Sequence, residues 1–513
     1  MLKLFIHIPL VIAFLSGCPL VGLPQNEKSI DIRVDINRTH QVISNFAASD
    51  AWSCQFVGNW QDRPRNAIAN WLFSMDTLAN GSPQGIGLSL WRFNAGAGSA
   101  RQEAASGIRD EWRRAESFLG EKGEYDWSRQ QGQLWFLKAA RDRGVKQFLG
   151  FFNSPPVPFT TNGKAYAANG KCNIDSTKYV SFARYAADMT KGIKQATGIE
   201  LDYISPVNEP QWDWSDGGQE GCPYSNKEIS GLARAFNTAF TESRLATKLL
   251  IAEAGHYKYL LDDADKPGKG NQVMAFFDPS SPCYIGHLPA VSKTMAAHGY
   301  FTSSPFAQAM TLRENIASRV AAVKGLDYWQ SEYCILGDNA GEIDGRKRDL
   351  GMNTALYIAR TIYADLVGGN ATAWQWWLAI SPYDYKDGLI YIDKNKTGGA
   401  YYDSKMLWAF GNYSRFVRPG MKRVEVAPPA AKDILVSAYK DERQKKLVLV
   451  IVNSGAAAQS VSIKSLPGHT VATRAKWDTY TTSDSKNLEK HILFSNTIDI
   501  MPRSIVTMET MYH

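Results

Sequence analysis

The stretch Asp202–Trp214, "DYISPVNEPQWDW", decides how the chain is read. Its first half is apolar and β-prone, the composition of a short buried strand. Its second half ends that strand on Asn208-Glu209-Pro210 and then crowds the glutamate with Trp212 and Trp214. A buried strand that gives out on an ionisable side chain beside flat rings fits a βα unit whose strand end faces a ligand.

Seven other runs share this character. Before it stand "NFAAS" near 45, "GLSLWRFN" at 87–94 and "QFLGFFN" at 147–153. After it come "KLLIAEAG" at 248–255, "TMAAHGY" at 294–300, "LDYWQSEY" at 326–333 and "ATAWQWWLA" at 371–379. Amphipathic helical stretches lie between them, among them 128–144 and 177–198, the latter stopped by Gly198. Eight strands alternating with helices predict an α/β fold, a (β/α)8 TIM barrel over 45–412. A doubly wound open sheet is the structural rival. No GxGxxG follows an early strand, however, and "GAGSA" at 96–100 is too weak for a phosphate loop.

Beyond about 413 the helical period disappears. "ILVSAYKDERQKKLVLVIVNSG", "QSVSIKSL", "TRAKWDTYTTS" and "SIVTMET" read as short strands joined by polar turns, which predicts an appended β-sandwich over 413–513. The alternating segment within 25–44 is a candidate to join that sheet, so the side domain would flank the barrel in sequence. It is read as a structural brace, with an accessory binding module as the alternative.

The bulk composition narrows the class. Of 513 residues, 44% are hydrophobic and 21% charged, the balance of a folded globular protein. The net charge of +7 is dispersed, and the densest basic run, "GRKRD" at 345–349, is too short for a nucleic-acid arm. The first residues, "MLKLFIHIPLVIAFLSGC", form an export signal over 1–18, too short for a membrane span. Leu15-Ser16-Gly17-Cys18 resembles a bacterial lipobox; a conventional signal peptide cut a few residues later is the other reading. The expectation is an exported protein, at the cell surface or in the periplasm as a lipoprotein, or else secreted. Membrane attachment would come only through that lipid. No CxxC or Cys/His cluster has metal-ligand spacing, so no metal and no cofactor is expected. Cys172 and Cys222 both fall in polar, Gly-rich loop sequence and are the pair an exported protein would join.

Reading across the strand ends gathers Asp50, Trp52, Arg92, Asn94, Asn153, Asn208, Glu209, Glu253, His298, Tyr300, Glu332 and Trp376. Glu209 after the fourth strand and Glu332 after the seventh end on opposite sides of the barrel mouth, where two carboxylates can face each other. Paired carboxylates are the apparatus of glycoside hydrolysis. Trp212, Trp214 and Trp52 are candidates to pack on the apolar face of a sugar, and Trp376 to floor the pocket. Glu253, in "AEAGHY", is read as a rim residue.

The order of "ASDAWS" (48–53), "GIGLSLWRFNAGAGS" (85–99), "FNSPPVPFTTNG" (152–163), "SPVNEP" (205–210), "HGY" (298–300) and "SEYCILG" (331–337) resembles glycoside hydrolase family 30. The resemblance implies a retaining enzyme with Glu209 as general acid/base and Glu332 as nucleophile. Arg92 and Tyr300 would support the nucleophile, and Asn208 would contact the sugar 2-hydroxyl. The loops after the third and fourth strands look most like the endo-β-1,6-galactanase branch, which attacks side chains of arabinogalactan. A β-1,6-glucanase, xylanase or β-fucosidase of the same family is the alternative, as is a non-catalytic carbohydrate-binding lipoprotein. The partner implied is a polysaccharide or oligosaccharide, with no nucleic acid, and the chain is expected to be a monomer.

Overall fold

The computed structural model describes residues 29–337, 339–429, 431–465 and 475–512. The export signal and lipobox read in residues 1–18 lie outside them, and no helix among the described residues is long and apolar enough to cross a membrane. The chain opens on a long strand, β1 (Ile30–Val42), and then enters eight parallel strands. These are β2 (Asn45–Ser49), β3 (Leu90–Asn94), β4 (Gln147–Phe151), β5 (Tyr203–Ser205), β6 (Lys248–Ala254), β7 (Val291–His298), β8 (Asp327–Glu332) and β9 (Ala373–Ser381). They pair in sequence order, and β8 closes on β9 through Trp329–Ala373 and Gln330–Trp374, so the expected (β/α)8 barrel is complete.

Such strands are buried on both faces, one toward the barrel axis and one beneath the helices. That is why β2, β3 and β9 read as near-continuous apolar runs and are buried at every residue. Polar residues among them bond to one another across the barrel interior. Gln375 donates to the Asn45 side chain at 3.1 Å, and the Gln375 backbone N–H donates to the Gln330 side chain at 3.0 Å. The helices carry clear end signals. Ser225 and Glu228 form a reciprocal capping box at the start of Asn226–Glu242. Gly198, with φ of 74°, turns the chain out of Tyr179–Thr197 in the left-handed conformation that glycine adopts at least cost.

Past the barrel, β10 (Gly388–Ile392) adds parallel to β9, and β11 (Tyr401–Asp403) pairs antiparallel to β10. The β-rich side domain follows as β12 (Lys422–Val426), β13 (Ile434–Asp441), β14 (Lys446–Asn453), β15 (Gln459–Ser465), β16 (Trp477–Thr482), β17 (Glu489–Leu493), β18 (Thr497–Ile500) and β19 (Ser504–Met511). With β1 they make one nine-stranded, mainly antiparallel sheet, in which β1 lies between β12 and β15. The sheet curls around its own core of Ile32, Val34, Leu449, Ile463, Trp477 and Met508. Residues of its other face, including Tyr439, Val450, Tyr480 and Ile505, pack into the apolar core shared with the barrel. Helix Lys405–Ser414 lies in that seam, where Asn412 donates to the Tyr480 carbonyl at 3.1 Å and to the Thr507 hydroxyl at 2.9 Å.

One buried charge pair fixes the outer wall of the barrel. Asp365, in the π-helical turn that ends helix Met352–Tyr363, accepts from Arg313 Nε at 2.6 Å, Tyr257 at 2.8 Å and the Trp374 indole at 2.9 Å, all of them fully buried. Replacing Asp365 by Ala strands one guanidinium and two neutral donors away from water. It is expected to lower unfolding free energy by about 3–5 kcal/mol, read as a lower urea midpoint, while Asp344→Ala at the exposed Arg346 pair leaves the midpoint unchanged.

Candidate active site

The C-terminal ends of the barrel strands open into a cleft of about 1100 Å³. Both glutamates singled out by sequence line it. Glu332 is the last residue of β8, and Glu209 stands four residues beyond β5. The Glu209 backbone has φ of 45° and donates its N–H to the Glu253 carbonyl at 2.8 Å, which turns the side chain into the cleft. One oxygen from each carboxylate and one nitrogen of His298 lie within 4.8 Å of one another.

His298 is the hinge of this group. Its Nδ1 is 2.8 Å from Glu209 Oε1 and 3.4 Å from Glu332 Oε1, and its Nε2 is 3.2 Å from Glu253 Oε2. Burial disfavours a charged imidazole, but Glu332, Glu209 and Glu253 together override it and raise the ring pKa to about 10. Both ring nitrogens are therefore N–H donors. Glu209, His298 and Glu332 also have the spacing of a three-ligand cation site.

Arg92, fully buried in the middle of β3, is the second cation. It donates through Nη1 to Glu332 Oε2 and through Nη2 to Asn208 Oδ1 at 3.2 Å, and its guanidinium lies over the Phe151 ring at 3.8 Å. Tyr300 donates its O–H to Glu332 Oε1 at 2.8 Å. Glu332 thus has a donor on each oxygen. Glu209 is treated differently. Burial holds its carboxyl above the usual range and Glu332 pushes the same way, while the His298 bond and charge pull it partly back.

Glu253 corrects the rim assignment. It is fully buried on the barrel axis, where it accepts from Ser205 at 2.6 Å, from Ser331 and from His298, with Arg92 Nη2 at 3.8 Å. Burial opposes its charge, yet Arg92 and His298 hold the carboxyl down at about 2. It is the anion beneath the site.

The remaining strand-end candidates divide. Trp52, Asn208, Trp212 and Tyr300 line the cleft, as does Trp214. Trp212 lies on Gly255, where an added Cβ would come within 2.5 Å of its indole nitrogen, and Trp214 covers Gly221 in the same way at 2.4 Å. Asp50 and Asn94 do not face the cleft. Asp50 is fully buried and braces the β2–β3 corner by accepting from the Asn94 N–H at 2.7 Å and from Gln133 at 3.1 Å; burial raises its pKa to about 7. The Asn94 carbonyl accepts from Gln130 and Gln133, each at 3.0 Å. Asn153 is buried off the cleft wall, its amide without a protein partner among the described residues.

Trp376 does not floor the pocket. Side chains alternate along β9, so Trp374 and Trp376 share the outer face, stacked 6.1 Å apart, and Trp376 donates to the Asp387 carbonyl at 2.7 Å. The inward ring is the next one, Trp377, edge-on to Trp52 at 5.4 Å. Period-two counting from Gln375, an inward polar residue, would have found it. Sequence reading also passed over Arg113, whose guanidinium lies 5.0 Å from the Trp52 ring and 5.3 Å from Tyr383, and over Asp387 at the base of the same wall. Neither ends a barrel strand.

Cys172 and Cys222 are both free thiols, in contact with each other.

Comparison with known proteins agrees with this construction. The endo-β-1,6-galactanase of Hypocrea rufa is 23% identical over 475 residues, covering 88% of each chain. The glucuronoxylanase XynC of Bacillus subtilis strain 168 is 23% identical over 362 residues, 69% of each. The crystal structure of a conserved exported protein from Bacteroides fragilis superposes with a TM-score of 0.85 at 31% identity, covering 94% of this chain and all (100%) of the other. The model of O-Glycosyl hydrolase family 30 matches residues 29–391, and the chain, a glycoside hydrolase, belongs to that family.

Proposed function

We propose that this glycoside hydrolase is an exported, retaining endo-β-1,6-galactanase that cuts the β-1,6-galactan side chains of arabinogalactan by double displacement. One observation carries the mechanism: Glu209 and Glu332 each place an oxygen within 4.8 Å of the other, about a single His298 nitrogen. Carboxylates with oxygens this close suit direct attack by one of them, the retaining arrangement, in which the groups stand about 5–5.5 Å apart. An inverting enzyme needs roughly 6.5–9.5 Å to admit a water.

The roles follow from the electrostatics. Glu332, gripped by Arg92 and Tyr300, attacks the anomeric carbon. Glu209 carries the proton that the leaving oxygen takes. His298 occupies Oε1, which leaves Oε2 to bear it. Once the glycosyl–enzyme bond has formed, the Glu332 charge is gone, and Glu209 takes a proton from water as it attacks. Asn208 has its oxygen committed to Arg92, so its amide N–H groups are free for the sugar 2-hydroxyl. Trp377 and Trp52 offer aromatic faces to the C–H face of the ring.

The substrate class is supported by the match to the galactanase over 88% of both chains and by the charge of the cleft. Among the described residues, Asp213, Asp216, Glu332, Asp384 and Asp387 line it against one cation, Arg113. Such a wall repels a polyanionic glycan and favours a neutral one. Similarity to an exported protein of known structure supports export.

The deciding experiment offers β-1,6-galactan, β-1,6-glucan and glucuronoxylan in parallel and follows the anomeric proton of the first product by NMR. Short β-1,6-galacto-oligosaccharides, released initially as the β anomer, are expected from galactan alone; cleavage of xylan alone would overturn the substrate, and an initial α anomer the mechanism. Glu209→Gln should lower kcat/KM on galactan by about 10²–10⁴-fold. With an aryl galactoside whose leaving group needs no proton, bond cleavage should be largely spared, and added azide should yield the β-galactosyl azide.

The pH profile tests His298. Glu209 must be protonated for the first step, so kcat/KM falls as pH rises through its raised pKa. His298→Gln replaces a cation that pulls that pKa down with a neutral amide. The basic limb of kcat/KM should therefore move to higher pH; a limb that stays or moves down would show that His298 is neutral in the free enzyme.

A further inference from the structure

The cleft wall that carries Trp212, Asp213, Trp214, Asp216 and Gln219 is one loop, running from Glu209 to Cys222. It has no regular secondary structure of its own and is laid along the loop after β4. The Ala167 N–H donates to the Trp214 carbonyl at 2.9 Å, the Gly170 N–H to the Ser215 hydroxyl at 2.9 Å, and the Gly221 N–H to the Ala165 carbonyl at 2.9 Å. Where this seam ends, the Asn173 N–H donates to the Cys222 sulfur at 3.2 Å, and the Cys172 and Cys222 side chains touch. Cys54, at the start of the helical turn Cys54–Val57, and Cys283 and Cys334, on other loops, lie elsewhere in the chain.

The two thiols are not equivalent. Cys222 is fully buried, whereas Cys172 is half-buried and faces a second cavity of about 780 Å³, lined also by Tyr179, Tyr224 and Lys269. Each sulfur lies 3.6 Å from a carbonyl, of Ile174 and Pro223 respectively, and these bonds hold the reduced pair in place. A buried thiol pair at the foot of a cleft loop is poised for one covalent step.

We propose that Cys172 and Cys222 are joined by a disulfide in the mature protein, which staples the acid/base loop to the loop after β4. The oxidant is a disulfide, of a small molecule or of a thiol–disulfide oxidoreductase. The Cys172 thiolate, reached through the second cavity, attacks it and releases one thiol. The Cys222 thiolate then attacks the mixed disulfide at the Cys172 sulfur and releases the second. Two protons and two electrons pass to the oxidant, which leaves as a dithiol or as two thiols. The staple closes a long loop and so constrains the unfolded chain as well as the cleft wall.

The test uses the full-length protein refolded in a glutathione buffer with the oxidised form in excess, then denatured, alkylated and digested without reductant. The expected result is a linked peptide pair containing residues 172 and 222, short of the summed mass by two hydrogens, with Cys54, Cys283 and Cys334 alkylated. Alkylation of both Cys172 and Cys222 overturns the proposal, as does either one linked to a different cysteine. A second reading uses the folded protein. Dithiothreitol should lower the thermal midpoint by roughly 5 °C in the unaltered protein and leave it unmoved in the Cys172→Ser/Cys222→Ser double variant. Equal sensitivity of the two also overturns it. Neither readout requires knowledge of the substrate.

Discussion

Five ionisable groups are shut into the barrel mouth, and only four of them can pair. Arg92 and His298 supply two positive charges, and Glu209, Glu253 and Glu332 compete for them. A buried charge without a partner costs several kcal/mol, so the cheapest state leaves one carboxyl protonated. Glu253 is excluded from that role, since Arg92, His298 and two serines hold it at about 2. Glu332 has the direct Arg92 contact. Glu209 is the acid left over, with burial and the Glu332 charge both raising it. The asymmetry that the proposed mechanism needs, one carboxyl protonated and one bare, thus follows from a count of charges, before any substrate enters.

Glu253 is what makes that count work. Without it the two cations would face Glu209 and Glu332 alone, with no carboxyl left over to hold the proton the proposed mechanism needs. Its carboxylate also stands in the hydrogen-bonding chain Ser205–Glu253–Ser331, which ties β5, β6 and β8 together at the charge. Lys and Glu are almost never fully buried without such compensation. A glutamate this far inside a barrel indicates that the surrounding positive charge has a use.

The barrel was legible because its strands are buried on both faces and each is short, apolar and followed by a helix period. The ends of those strands were legible for the same reason: polar residues stand out where apolar runs stop. What the residue types alone could not reveal was direction. A strand end holds two or three candidates, and alternate ones face opposite ways. Glu209, Glu332, Arg92, Asn208 and Tyr300 converge on one point, whereas Asp50 turns to brace the β2–β3 corner by accepting from the Asn94 backbone, and Trp376 turns outward, with Trp377 taking the cleft. Glu253 was misread in the same way, as a rim residue, because a glutamate near a strand end has the same sequence whether it points to solvent or to the axis. Arg113, Tyr383 and Asp387 lie on loops whose path depends on tertiary contacts, such as Lys394 with Asp110 at 2.9 Å, and no local pattern announces those.

The division between strand and loop is also a division of labour. The charge network draws Arg92, Glu253, His298 and Glu332 from barrel strands, where hydrogen bonding to both neighbours fixes position, and Glu209 from the turn four residues beyond β5. The sugar-facing wall is built largely from the loops after β5 and β9, with Trp52, Arg113, Phe301 and Leu336 from others, and is held by packing and by hydrogen bonds between loops. Its two forward tryptophans rest on Gly255 and Gly221, at distances no side chain could tolerate, so the shape of the wall depends on atoms that are absent as much as on those present. Changes in these loops alter which glycan fits without touching the balance of protons beneath. Relatives at 23% identity with different substrate names are the outcome such an arrangement produces: the chemistry is fixed by a closed charge balance, and the choice of sugar by surfaces that lie outside it.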